Sequence, residues 1–219
     1  MKNLKKAGGI AALYLAAAYL AAMPYFLFVM DLGSIADPVQ KVAALAGHWR
    51  GLYTMTLVVY VFFGIALVVV AAALGQWLRA GGEALMRVAT PIAMIWAGLL
   101  IASGMVYNVG MEPVIALFGQ DQAQAASLWR AIDLLSMGLS GNGEVLGGTW
   151  MLLVSIAALR TGRLPRAHAL LGLAVAAVAL ASVLPALKDL AKVFGIGQIV
   201  WLAWLGIVLL RRGGDESAV

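Results

Sequence analysis

Six long apolar stretches separate short polar segments along this chain, and they leave it few folds to adopt. A stretch of about 20 apolar residues at 1.5 Å per residue crosses about 30 Å of hydrocarbon. In lipid such a stretch satisfies its own backbone by forming a helix. The expected spans are residues 7–30, 52–74, 88–110, 143–159, 167–187 and 190–210. A soluble fold has no place for them: 63% of the residues are hydrophobic and 11% are charged, against about 25% charged in an ordinary soluble domain. The reading is an all-α polytopic bundle, one transmembrane domain over residues 1–219, with about six membrane helices and short amphipathic surface helices.

The first stretch invites comparison with a secretory signal. Lys2, Lys5 and Lys6 resemble the basic leader of one, but the apolar run from Ala7 to Met30 outlasts an h-region of about 7–15 residues. It is expected to remain as the first span.

Charge in the loops assigns an orientation. With the amino terminus in the cytoplasm, the inner segments hold ten basic residues and three acids, a balance of +7. The outer segments hold five basic residues and seven acids, a balance of −2. Basic residues gather on the cytoplasmic side of membrane proteins. Both termini are therefore expected in the cytoplasm, with the chain in a bacterial inner membrane.

The two long segments both fall on the outer side. In the first, Asp37-Pro38 has the chemistry of a helix start, and Val39, Val42, Ala43 and Ala46 follow at helical spacing. A short surface helix over Pro38–Gly47 is predicted. In the second, Glu112-Pro113 is expected to open a short helix ending at Gly119. Asp121 is expected to cap another, with Leu128, Ile132, Leu135 and Leu139 on one face.

Composition excludes several functions. The net charge of +5 forms no basic patch and accompanies no nucleic-acid motif, so no nucleic-acid partner is expected. The absence of cysteine excludes disulfides, thiolate metal sites and thiol nucleophiles. No phosphate-binding loop, dinucleotide fingerprint or serine-nucleophile elbow is present. His48 and His168 fall on opposite sides by the charge argument. No metal or cofactor is expected.

The remaining polar residues in or near spans are few. Glu144 opens the fourth span, on a face with Gly148, Met151, Ser155 and Ala158. Gly143 and Gly147 are spaced to let a helix approach. Asn108 and Glu112 share a face at the outer end of the third span. Gln198 lies within the sixth, where an amide needs an interhelical hydrogen bond or a ligand. Lys188, Asp189 and Lys192 are read as closing the turn between the last two spans. The tryptophans are read mainly as interface anchors, with Trp150, Trp201 and Trp204 also suited to lining an apolar cavity. The expected ligand-binding set is Asn108, Glu112, Asn142, Glu144 and Gln198, joined by Asp133 around one outward-facing polar cavity.

The carboxyl-terminal third adds a resemblance. It runs Arg160-Thr161-Gly162-Arg163-Leu164-Pro165-Arg166, then Phe194-Gly195-Ile196-Gly197-Gln198, then Trp201-Leu202-Ala203-Trp204-Leu205-Gly206, and reaches Arg211-Arg212. This resembles a large group of uncharacterised bacterial multi-span proteins of the domain-of-unknown-function kind. The resemblance implies about six helices, an inner membrane and no assigned catalysis. The scarcity of reactive groups favours a non-enzymatic role. That role is binding a lipid-like or apolar small molecule, or serving as accessory subunit to a membrane-protein partner or as a homo-oligomer. A second reading is an enzyme using Glu144 with Glu112 or Asp133 as acid and base on an isoprenoid-like substrate. A third is a proton-coupled transporter, for which neither a charged residue at mid-membrane nor an internal repeat is evident.

Overall fold

The computed structural model describes residues 2–140 and 143–215, and among them there is no strand. The helices are α1 (Lys2–Pro24), α2 (Pro38–Thr56), α3 (Phe63–Trp77), α4 (Arg79–Phe118), α5 (Gln122–Ser140), α6 (Gly143–Thr161), α7 (Arg166–Ser182) and α8 (Leu190–Asp215). Five stretches are long and apolar enough to cross a membrane: Asn3–Val29, Pro38–Trp77, Arg79–Phe118, Gln122–Thr161 and Leu190–Arg212. The sixth, α7, is apolar but has only 17 residues.

Several boundaries differ from the sequence expectation, each for a local reason. Asp37 does cap α2, its Oδ1 accepting from the Val39 amide at 2.8 Å, and Pro38 takes the first helical position. But α2 does not end at Gly47. It bends at His48 (φ −123°, ψ 17°) and passes through a π-helical turn, Leu57–Phe62, into α3. No proline falls between Gly47 and Leu52, and Gly47 and Gly51 each cost a helix only about 1 kcal/mol. Its buried face carries Val42 and Leu45, while Ala43 is exposed.

Similarly, Pro113 does not start a helix, because α4 runs straight through it. Proline at that position removes one backbone bond, to Val109, and no glycine or second proline follows until Gly119. Asp121 does cap α5, accepting from the Gln124 amide at 2.9 Å. The face α5 buries is Ala125, Trp129 and Ser136, and Leu135 is 56% exposed. At the end of α7 the chain turns through Pro185–Leu187, so that span stops at Ser182 rather than at 187.

The transmembrane helices close a ring. α1 packs on α3 and α8, α3 on α4, α4 on α6, α6 on α7, and α7 on α8. Lipid offers no hydrophobic drive for helices to meet, so close approach of small residues does that work. A Cβ on Gly206 would lie 2.9 Å from the Gly9 carbonyl, and one on Gly9 would lie 3.1 Å from that of Gly206. A side chain at either position would push α1 and α8 apart.

α4 is the common partner of two long antiparallel neighbours. Along α2–α3 its contacts run from Asn108 with Tyr53, through Gly104 with Tyr60, to Thr90 with Gly75. Along α5–α6 they run from Gly110 with Ile132, through Ser103 with Ser136, to Gly82 with Ala157. Beyond a break at Ala80–Gly82, where Gly81 takes φ +90°, α4 runs on from Glu83 to Phe118, about 54 Å and well over the hydrocarbon thickness. Its carboxyl-terminal end joins α2 and α5 in a second apolar cluster built on Val42, Leu52, Met111, Val114 and Trp129.

The opposite end gathers basic residues. Arg163 donates to the Trp77 carbonyl and Arg212 to the Arg163 carbonyl. Lys5 lies 5.7 Å from the Trp77 ring. Glu83 bridges Arg79 and Arg87 at 3.7 and 2.9 Å. Gly162, at φ +63°, ends α6 in the left-handed conformation that glycine accepts most readily.

Candidate functional site

The clearest concave site is a pocket of about 560 Å³ between the second half of α2 and the last turns of α4. Trp49, Tyr53, Asn108, Met111, Glu112 and Ile115 line it. Asn108 and Glu112 are four residues apart on α4, which places both on the pocket side. Asn108 is 7% exposed, and its Nδ2 donates to the Tyr53 carbonyl at 3.3 Å. Its Oδ1 is buried without a partner among the described residues. An unmatched buried acceptor costs about 1–3 kcal/mol. Glu112 is exposed at the pocket. The chemistry offered is an apolar wall, one buried carboxamide and one wet carboxylate.

Asp133 and Glu144 belong elsewhere. Asp133 is half-buried on α5, within electrostatic reach of Lys41, Tyr60 and Tyr107. Glu144 is half-buried in the first turn of α6, within reach of Tyr19. Its level is set one turn further in. Gly147 packs against the Trp96 and Phe194 rings, and Gly148 takes the close approach of Ala176 and Ala179 on α7. Asn142 lies outside the described residues.

Gln198 is 1% exposed, and neither amide atom has a hydrogen-bond partner among the described residues. The interhelical bond expected of it is absent there. It sits one turn from an aromatic core that the sequence reading did not assemble. The rings of Trp96 and Trp150 are 6.1 Å apart, and those of Trp150 and Trp201 5.7 Å. His168 stacks on Trp201 at 4.9 Å and meets Trp204 edge-on at 5.4 Å.

His168 is fully buried, with Nε2 3.1 Å from the Trp201 carbonyl. Ser155 Oγ, His168 Nδ1 and both Trp150 and Trp201 Nε1 lack partners among the described residues. Of the seven tryptophans, Trp49 is exposed, at 42%, and the other six pack wholly or partly inside the bundle. The available signal was spacing, since His168 and Gly172 share one helix face and Trp201 and Trp204 another.

Asp189, just before α8, and Lys192, in its first turn, form a 3.0 Å ion pair. Hydrogen bonding to Lys192, and then its charge, hold the Asp189 carboxyl below its ordinary range. The pair is exposed and contributes little to stability.

Fold and site together define a polytopic membrane protein: a helical ring with a buried aromatic core and an apolar pocket at one end. The chain belongs to a family described as a domain of unknown function, DUF4386, whose pattern matches residues 10–213. No curated protein and no solved structure matches it.

Proposed function

We propose that this is a non-enzymatic protein of a bacterial inner membrane that holds a lipid-like or apolar small molecule in the outward-facing pocket of α2 and α4. Asn108 carries the reading. It lines a pocket whose walls are otherwise largely apolar, and its carboxamide oxygen is buried without a partner among the described residues. A ligand with an apolar body and one hydrogen-bond donor satisfies both. Trp49, Met111 and Ile115 take the body, and Glu112 favours a donor or a positive group at the mouth. Both chain ends belong in the cytoplasm on this reading, because the basic end of the bundle follows the positive-inside rule.

The test is native mass spectrometry of the protein extracted in mild detergent, with small-molecule identification on the same sample. A stoichiometric apolar adduct is expected on the wild type. It is expected to fall at least tenfold with Asn108→Leu and to persist with Glu144→Gln. Equal adduct on wild type and Asn108→Leu, or loss only with Glu144→Gln, refutes the assignment. The second outcome favours acid–base chemistry at Asp133 and Glu144, which the neighbouring Tyr19, Tyr60 and Tyr107 would support.

A further inference from the structure

A second pocket, of about 600 Å³, lies at the opposite, basic end of the bundle, where α6 ends, α7 begins and α8 runs out. Ala158, Leu159, Leu164 and Pro165 supply its apolar lining, and Arg166 and Arg212 its charge. We propose that this pocket binds the phosphate of an anionic phospholipid. The inference does not depend on the function assigned to the outer pocket.

Three features favour an anion. Arg166 and Arg212 both line the cavity, and among the described residues neither forms an ion pair. Arg212 is anchored by donation to the Arg163 carbonyl. A guanidinium has five N–H donors, so that bond leaves others free to turn to a phosphate. Finally, α7 starts at the pocket without a side-chain cap, because Pro165 occupies the capping position. Its first amides lack helical acceptors, and the helix dipole adds roughly half a positive charge there.

Nearby apolar surface favours a lipid over a free anion. Leu170 is one turn outward of Arg166 on α7 and is 50% exposed. Leu159, at the rim, is 38% exposed. A phosphate held at the arginines thus has exposed apolar side chains on α6 and α7 along which acyl chains can lie. Basic pockets between transmembrane helices take lipid head groups by this combination. The other basic group at this end differs: Arg79 and Arg87 are already engaged by Glu83.

The experiment compares the whole protein in nanodiscs of phosphatidylglycerol mixed with phosphatidylcholine, reading retained lipid by native mass spectrometry after release. The wild type is expected to retain phosphatidylglycerol at least tenfold over phosphatidylcholine. The Arg166→Gln/Arg212→Gln double variant is expected to lose that preference, and Arg79→Gln/Arg87→Gln to keep it. Equal retention of the two lipids by the wild type overturns the proposal and requires no variant, so it holds even if the double variant fails to fold. Equal loss in both double variants also overturns it, because a diffuse basic surface then suffices. Displacement of the lipid by millimolar inorganic phosphate overturns the lipid as occupant in favour of a free anion. Resistance to that displacement supports the lipid.

Discussion

Gly172 shows how tightly single atoms are set in the aromatic core. A Cβ there would fall 2.6 Å from Trp201 Nε1 and closer still to Ser155 Oγ. Ser155 Oγ can turn aside, but Trp201 cannot retreat easily, because it is held between Trp150 and His168. Gly172→Ala is expected to destabilise the protein by about 1–3 kcal/mol, the usual cost of overpacking. Gly98→Ala is the matched control, since a Cβ there meets nothing within 4 Å. It should leave stability unchanged or raise it by up to about 1 kcal/mol. Thermal unfolding of both variants in one detergent checks the pair, and equal melting temperatures would contradict the packing. This core was only partly legible in the sequence. Trp150, Trp201 and Trp204 were recognisable as candidates for an interior cavity, but His168 was not. A histidine at the very end of a span, beside Arg166, reads as interfacial. Only the crossing of α7 and α8 brings Trp201 over it.

At the scale of elements, hydropathy located the apolar runs but not where helices end. Gly47 and Pro113 look like breaks, yet α2 and α4 pass through them. A lone glycine or proline costs less than the packing gained against α4 and α5 across the outer apolar cluster. Capping was more readable, because Asp37 and Asp121 act within their own neighbourhoods. Asp37→Ala is expected to cost about 1 kcal/mol through loss of the bond to the Val39 amide. Amide hydrogen exchange should then speed up in the first turn of α2 and remain unchanged in α5. Pairing between helices was not legible, because spacing fixes the face of a helix but not its partner. Ser103 and Ser136 report it directly. Their hydroxyls lie 2.7 Å apart where α4 meets α5. A chain without native cysteine makes Ser103→Cys/Ser136→Cys a clean probe. Mild oxidation should join the two, whereas Ser103→Cys with Ser127→Cys, more than two turns away on α5, should stay reduced.

For the whole molecule, charge and topology make one argument. α1 and α8 run antiparallel, with Gly9 against Gly206, so the start of α1 and the end of α8 share one end of the bundle. Arg163 and Arg212 meet there, and Lys5 reaches Trp77. Basic residues far apart in the sequence, Lys5, Arg163 and Arg212 among them, therefore converge in space. Their clustering is a product of the fold, and the even number of helices around the ring returns the chain to where it began. The 17-residue α7 is the weak link, since at 1.5 Å per residue it spans only about 26 Å. The bilayer can thin or the flanking residues snorkel to accommodate a span that short. Arg163 and Arg166 at one end, with Lys188 and Lys192 beyond the other, are long enough to do so. If α7 crosses, reporter fusions after Met30, Arg79, Gln120, Arg163 and Val219 should read out, in, out, in, in. A fusion after Leu187 decides the point about α7: an outer signal there fits a crossing. An inner signal at Leu187 with an outer signal at Val219 would mean that α7 stays on the basic side, leaving five crossings and opposite termini.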